Sequence, residues 1–144
     1  MTEWKIPLAD LSFDEQDIAA VVAVMESGWL TMGAETQAFE EEFAAYHNVP
    51  HAIAVANCTA ALHIACMALD LGPGDEVIVP SMSFVATANA VRYTGATPVF
   101  ADIIGLEDLT IDPEAVAEKI TGRTRAMIVM HYACLLYTSP SPRD

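Results

Sequence analysis

The sequence predicts an α/β chain built on a mostly parallel sheet, and three observations carry that prediction. From His51 onward, short β-rich runs alternate with helical patterns, at 51–56, 59–71, 76–80, 83–94, 97–101, 112–120 and 125–130. Such alternation is the pattern of βαβ units. The apolar run His51-Ala52-Ile53-Ala54-Val55-Ala56 turns directly into an apolar helix at Asn57-Cys58-Thr59-Ala60. Finally, three polar or aromatic clusters fall at the ends of predicted strands: Asn57-Cys58-Thr59, Ser81-Met82-Ser83-Phe84 and His131-Tyr132. In open parallel sheets, ligands gather at the carboxyl ends of strands, so three clusters there point to one site.

Composition narrows the function. A chain of 144 residues has room for one domain and one core. At 53% hydrophobic and 18% charged residues it is no disordered chain. Six basic against 20 acidic residues give a net charge of −14. That argues against non-specific binding to nucleic acid or anionic membranes, while leaving room for a local anion site. No apolar run reaches transmembrane length. The opening Met1-Thr2-Glu3-Trp4-Lys5-Ile6-Pro7 lacks the basic-then-apolar order of a signal peptide. The three cysteines have no zinc spacing, and Cys58 and Cys66 stand two turns apart on one predicted helix. The expected compartment is the reducing cytoplasm, and no metal is expected.

Taken in order, Ser12-Phe13-Asp14-Glu15 fits a capping box with Ser12 as cap and Glu15 as its partner. The helix behind it carries Ile18, Val21, Val22 and Met25 on one face and ends at Ser27-Gly28. Gly28-Trp29-Leu30-Thr31-Met32-Gly33 is a loop with an aromatic between glycines. A second helix, from about Glu35 to His47, is expected to turn Phe39, Phe43 and Tyr46 inward and Glu40, Glu41 and Glu42 to water. The helix 59–71 is apolar almost all round. Its polar residues Thr59, His63, Cys66 and Asp70 form one narrow stripe, which predicts burial on most sides. Its free N-terminal N–H groups and dipole suit a phosphate ester; Asn57 and Thr59 can cap it or donate to phosphate oxygens. Gly72-Pro73-Gly74-Asp75 is the turn into the next strand, and Asp112-Pro113-Glu114 starts the last helix.

Six segments carry a resemblance. They are Gly28-Trp-Leu-Thr-Met-Gly33, Asn57-Cys-Thr-Ala-Ala-Leu-His63, Gly72-Pro-Gly-Asp-Glu-Val-Ile-Val-Pro-Ser81, Ser83-Phe-Val-Ala-Thr-Ala-Asn-Ala-Val91, Gly95-Ala-Thr-Pro-Val-Phe-Ala-Asp102 and Val129-Met-His-Tyr132. In this order they resemble the DegT/DnrJ/StrS family of pyridoxal-phosphate-dependent sugar aminotransferases, over nearly all of residues 5–133. The resemblance implies a truncated N-terminal part of the aspartate-aminotransferase large domain (PLP fold type I), with helices on both faces of the sheet. It implies pyridoxal 5′-phosphate as cofactor. Cys58 and Thr59 would hold its phosphate, through backbone N–H groups and the Thr hydroxyl, and Phe84 would stack on its ring. Thr31 would lie on the substrate-side loop, where Ala34 follows Gly33 and a Pro is more frequent in the family. His63 is expected to be a buried helix residue rather than a catalyst, and His131 to end a strand near the site without a chemical role.

The implied reaction moves an amino group from an amino acid, glutamate being the expected donor, onto a keto-sugar nucleotide for cell-envelope polysaccharide biosynthesis. Two alternatives stay open: a sugar dehydratase on the same scaffold, in which His replaces the cofactor-linked Lys, and a non-catalytic binding or regulatory protein of this fold. The family's Lys, and the Asp that pairs with the ring nitrogen, are expected beyond the point where this chain stops. Lys5 and Lys119 do not stand in the family's lysine context, so the chain by itself is expected to be inactive. A homodimer is implied for the full-length protein. The resulting division is 1–50, a helical segment with the substrate-side loop; 51–133, a partial cofactor-binding domain; and 134–144, an aperiodic tail resembling translated sequencing adapter.

Overall fold

The computed structural model describes residues 11–131. The tail expected at 134–144, Tyr132 and Lys5 lie outside the described residues. The chain separates into two compact units, one up to Ala54 and one from Val55.

The first unit holds α1 (Glu15–Ser27) and α2 (Ala34–Tyr46). The cap of α1 is Asp14, not Ser12. Its Oδ1 accepts from the N–H groups of Gln16 and Asp17 at 2.8 and 2.9 Å, and Asp17 Oδ2 accepts the Asp14 N–H at 3.0 Å. A carboxylate is the stronger acceptor for the orphan amides of a first turn, so the box forms two residues later than expected. Gly28 ends α1 in the left-handed region at φ 72°, as its position suggested. Between the helices, the Trp29 indole N–H donates to the Met32 carbonyl at 3.0 Å. A Cβ on Gly33 would come within 2.5 Å of that indole ring, so any larger residue there would have to displace the ring. The inward placement expected for Phe39, Phe43 and Tyr46 is not observed: all three are exposed, and Ala44 is the residue that α2 buries. Ile18, Val21, Val22 and Met25 are exposed as well. The apolar stripes are present, but each lacks a layer to pack against among the described residues.

The second unit contains α3 (Cys58–Ala68), β1 (Glu76–Pro80), α4 (Ala86–Tyr93), β2 (Thr97–Ala101), α5 (Pro113–Lys119) and β3 (Thr124–Met127). The strands form a parallel sheet in the order β2-β1-β3. Central β1 is buried at all five positions, as a strand covered on both faces must be. Its side chains alternate between two cores. Val77 and Val79 pack with Cys66, Leu71, Ala90 and Val91. Ile78 packs on the other face with Ala101 and Ile111, and with Ala115 and Val116 of α5. Helices therefore cover both faces, as the sequence implied.

Two expectations change here. Residues 51–56 form no strand: a strand exists only through a paired neighbour, and the Ala54 N–H is taken instead by the Glu40 carboxylate at 2.7 Å. Helix α3 is also less buried than its composition suggested. Cys66, on the polar stripe, is buried against the core, while Ile64, Met67 and Leu69 on the apolar sides are exposed. Burial pushes the Cys66 thiol pKa up.

At the amino edge of the sheet, buried Glu76 accepts from the Thr121 hydroxyl at 2.5 Å and from Arg123 Nε at 3.0 Å. This ties β1 to the loop leading into β3. The Thr121 hydrogen bond, then the Arg123 guanidinium, holds the Glu76 carboxyl below its usual range. A depressed pKa means stability that is present above the unfolded carboxylate value and lost as pH falls through the folded one. Thermal melts from neutral pH downward should therefore lose stability below the ordinary Glu range, and Glu76→Gln should flatten that loss. An unchanged pH slope in Glu76→Gln would contradict this role.

Candidate functional site

The site is built at the start of α3. Asn57 is the N-cap, extended at φ −169°, and its Oδ1 accepts the Ala60 N–H at 2.9 Å. Its carbonyl accepts the Ala61 N–H at 3.2 Å. The first amides of a helix have no acceptor within it. With Ala60 and Ala61 served, the amides of Cys58 and Thr59 remain the open ones, and no protein acceptor faces them among the described residues. Asn57 is thus the cap, and it leaves open the two N–H groups that the resemblance assigns to the phosphate.

Cys58 and Thr59 line a cavity of about 740 Å³ with Asn57, Leu62, Met82 and Phe84. Its far wall is Ile128, Val129 and Met130, which follow β3. The cavity therefore lies at the carboxyl edge of the parallel sheet, the expected ligand end. Its size is in the range of small-ligand pockets. Phe84 is 75% exposed although it is a large aromatic. It sits in the turn between β1 and α4. Ser83, in the same turn, shares a hydroxyl–hydroxyl hydrogen bond of 2.6 Å with buried Thr87. Open amides and the half-buried Thr59 at one point, with a bare aromatic ring elsewhere in the same cavity, fit a flat ligand that carries a phosphate.

Of the residues singled out from sequence, Cys58, Thr59 and Phe84 line this one cavity. Thr31 lines a separate cavity of about 600 Å³ within the first unit, together with Trp29, Leu30 and Gly33. His63 is half-buried on α3 rather than buried, and meets the Tyr93 ring edge-on at 5.3 Å. His131 does not end a strand, since β3 stops at Met127; it lines a smaller groove with Ile104, Ile111 and Val116, and Val129 and Met130 of that groove also line the cavity of Cys58 and Thr59. Sequence reasoning quoted Asp102 in a resembling segment but gave it no role; it directly follows β2, and its carboxylate accepts the Ser81 hydroxyl at 3.0 Å. The one available signal was its place directly after a predicted strand.

These features define a parallel α/β protein with an open helix start and an exposed aromatic ring in one cavity at the carboxyl edge of its sheet. Residues 12–136 match the DegT/DnrJ/EryC1/StrS aminotransferase family, and the chain belongs to that family. Spr1654 of Streptococcus pneumoniae, described as a sugar aminotransferase and solved in PMP- and PLP-forms, is 33% identical. In the PMP-form it superimposes with a TM-score of 0.79, covering 88% of this chain and 32% of that one. DesV of S. venezuelae is 43% identical at a TM-score of 0.74, covering 88% and 33%. A GDP-4-keto-6-deoxymannose-3-dehydratase, solved with a trapped PLP-glutamate geminal diamine, is 29% identical at a TM-score of 0.77, covering 85% and 33%. The chain thus spans about a third of the length of the solved structures it matches. The fold is that of the PLP fold type I aminotransferases, seen here as a small parallel sheet with helices on both faces.

Proposed function

We propose that residues 55–131 form part of the pyridoxal-phosphate site of an aminotransferase that acts on a keto-sugar nucleotide, with glutamate as amino donor. The observation that supports this most is the pair of open amides at Cys58 and Thr59 in one cavity with Phe84. The N–H groups of Cys58 and Thr59 and the Thr59 hydroxyl receive the cofactor phosphate, aided by the helix dipole. Asn57 fixes the helix start by holding the Ala60 N–H. Phe84 orients the ring, and Leu62 and Ile128 keep water from it. When bound, the cofactor carries the amino group and draws electrons from the bond that breaks. Thr31, on the loop that ends at Gly33, contacts the sugar substrate. The acidic balance of the chain, net −14, suits a cytoplasmic enzyme that takes small-molecule partners rather than nucleic acid or membrane. The full-length protein works as a homodimer.

A second reading, dehydration of the keto-sugar, is favoured by the likeness to the GDP-4-keto-6-deoxymannose-3-dehydratase. A Lys at the cofactor-linked position of the full-length protein supports transfer, and a His supports dehydration.

The cofactor assignment is tested by titrating the chain with pyridoxal phosphate and with pyridoxal, which lacks the phosphate. Pyridoxal should bind about tenfold more weakly or worse, since it forfeits hydrogen bonds to a charged group. Equal affinities would contradict the assignment. Borohydride added to the complex should leave Lys119 unlabelled. Lys119 is exposed at the C-terminal end of α5, and that end leads into β3 at the amino edge of the sheet, opposite the cavity. Stoichiometric labelling of Lys119 would count against the placement.

A further inference from the structure

We propose that Ser81 and Asp102 act as a positioning pair for Phe84, fixing the turn that presents its ring; this rests on the assignment of Phe84 to the cofactor ring. Phe84 is too exposed for its own packing to hold it in place. Its orientation must come from the backbone of the short turn between Pro80, which ends β1, and Ala86, which starts α4. That turn is fastened on both sides of Phe84. After it, the Thr87 N–H donates to the Phe84 carbonyl at 3.0 Å, and the Ser83 and Thr87 hydroxyls bond to each other. Before it, the Ser81 N–H donates to the Ala101 carbonyl at 2.8 Å and the Ser81 hydroxyl donates to Asp102 Oδ1 at 3.0 Å.

Asp102 is itself fixed. Its Oδ1 accepts the Ile103 N–H at 2.8 Å, and its carbonyl accepts the N–H of Asp112, the cap of α5, at 2.9 Å. One residue thus joins the end of β2, the start of α5 and the turn carrying Phe84. The Ile103 N–H, then the Ser81 hydroxyl, keeps the Asp102 carboxyl below its usual range, so it is an ionised acceptor at neutral pH. Neither Ser81 nor Asp102 lines the cavity that holds Cys58 and Thr59. Removing the pair should therefore disturb the ring end of the site and spare the phosphate end.

The test uses the whole chain with 4-fluorophenylalanine incorporated, the Phe84 fluorine line being assigned with Phe84→Leu. Ser81→Ala and Asp102→Ala should each move that line. Each should weaken pyridoxal-phosphate binding by about three- to tenfold and leave inorganic phosphate affinity within about twofold. The double variant should be no worse than Asp102→Ala alone, because that change already removes the Ser81 link together with the Ile103 N–H bond. Asp102→Asn keeps an acceptor oxygen and should restore both readouts. An unmoved fluorine line in Ser81→Ala, additive losses in the double variant, or an equal loss of phosphate affinity would each overturn the pair. If the unaltered chain binds no pyridoxal phosphate, the cofactor assignment fails, while the fluorine line still decides whether the pair holds Phe84.

Discussion

Thr59→Ala should weaken pyridoxal-phosphate binding by about 1.5 to 3 kcal/mol, roughly ten- to 150-fold, while Cys58→Ser should leave it nearly unchanged. This outcome follows from what each residue offers. Both present a backbone N–H at the open start of α3, and a side-chain substitution leaves those N–H groups in place. Thr59 adds a hydroxyl donor, and in the proposed site its acceptor would be a phosphate carrying about −1.5 to −2 charges at neutral pH. The helix dipole contributes roughly 0.3 to 2 kcal/mol more, and neither variant touches it. Phe84→Ala gives a different signature, because it removes surface against the ring. It should weaken pyridoxal and pyridoxal phosphate alike, whereas Thr59→Ala should weaken only the phosphorylated ligand. Fluorescence titration of the three variants with both ligands separates the two ends of the site. Cys58→Ser as the most damaging variant, with Thr59→Ala silent, would mean that the phosphate sits elsewhere.

Ile78→Ala should destabilise the second unit by about 2 to 5 kcal/mol, through lost burial and the cavity left behind. Ile78 is 1% exposed and stands at the middle of the central strand. It is the β1 side chain that meets Ala101, Ile111 and α5 on that face of the sheet, so little can move in to fill the space. Domains are stable by only about 5 to 15 kcal/mol in total, so this one change removes a large share. Leu106→Ala serves as the control, since Leu106 is 91% exposed; such a surface change usually stays within about 0.5 kcal/mol. Urea denaturation followed by circular dichroism gives both midpoints. Equal midpoints would mean that this face of the sheet is not a packed core.

The elements whose neighbours lie close in sequence were legible, and those that depend on distant partners were not. β1 and β2 have the predicted limits, because each is a short β-rich run bounded by turn residues such as Gly72-Pro73-Gly74-Asp75 and Gly95, whether buried throughout like β1 or half-exposed at the edge like β2. Asp112 with Pro113 marked the start of α5 through purely local chemistry. The run 51–56 looked like a strand for the same local reasons, yet pairing is a long-range property that no pattern within the run encodes. The capping box failed by two residues because Ser12-Phe13-Asp14-Glu15 and Asp14-Glu15-Gln16-Asp17 overlap, and only the structure shows which acceptor wins. At the site, the helix start itself pointed to Asn57 and Thr59, while the roles of Cys58 and Phe84 came from the family resemblance; the structure places Cys58, Thr59 and Phe84 in one cavity. The Ser81–Asp102 link could not be read from sequence, since it joins residues on two different strand ends. Nor could the orientation of α3: its small polar stripe holds the buried Cys66, while larger apolar residues face outward.

The central claim is that the phosphate of the cofactor rests on the amides that open α3. Amide chemical shifts of the isotope-labelled chain, followed during titration with pyridoxal phosphate and then with inorganic phosphate, test it most directly. With both ligands the largest shifts should fall on the N–H groups of Cys58 and Thr59, and those in the Phe84 turn should move with pyridoxal phosphate alone. Shifts centred instead on the exposed Arg92, Arg123 or Arg125, with Cys58 and Thr59 unmoved, would contradict it.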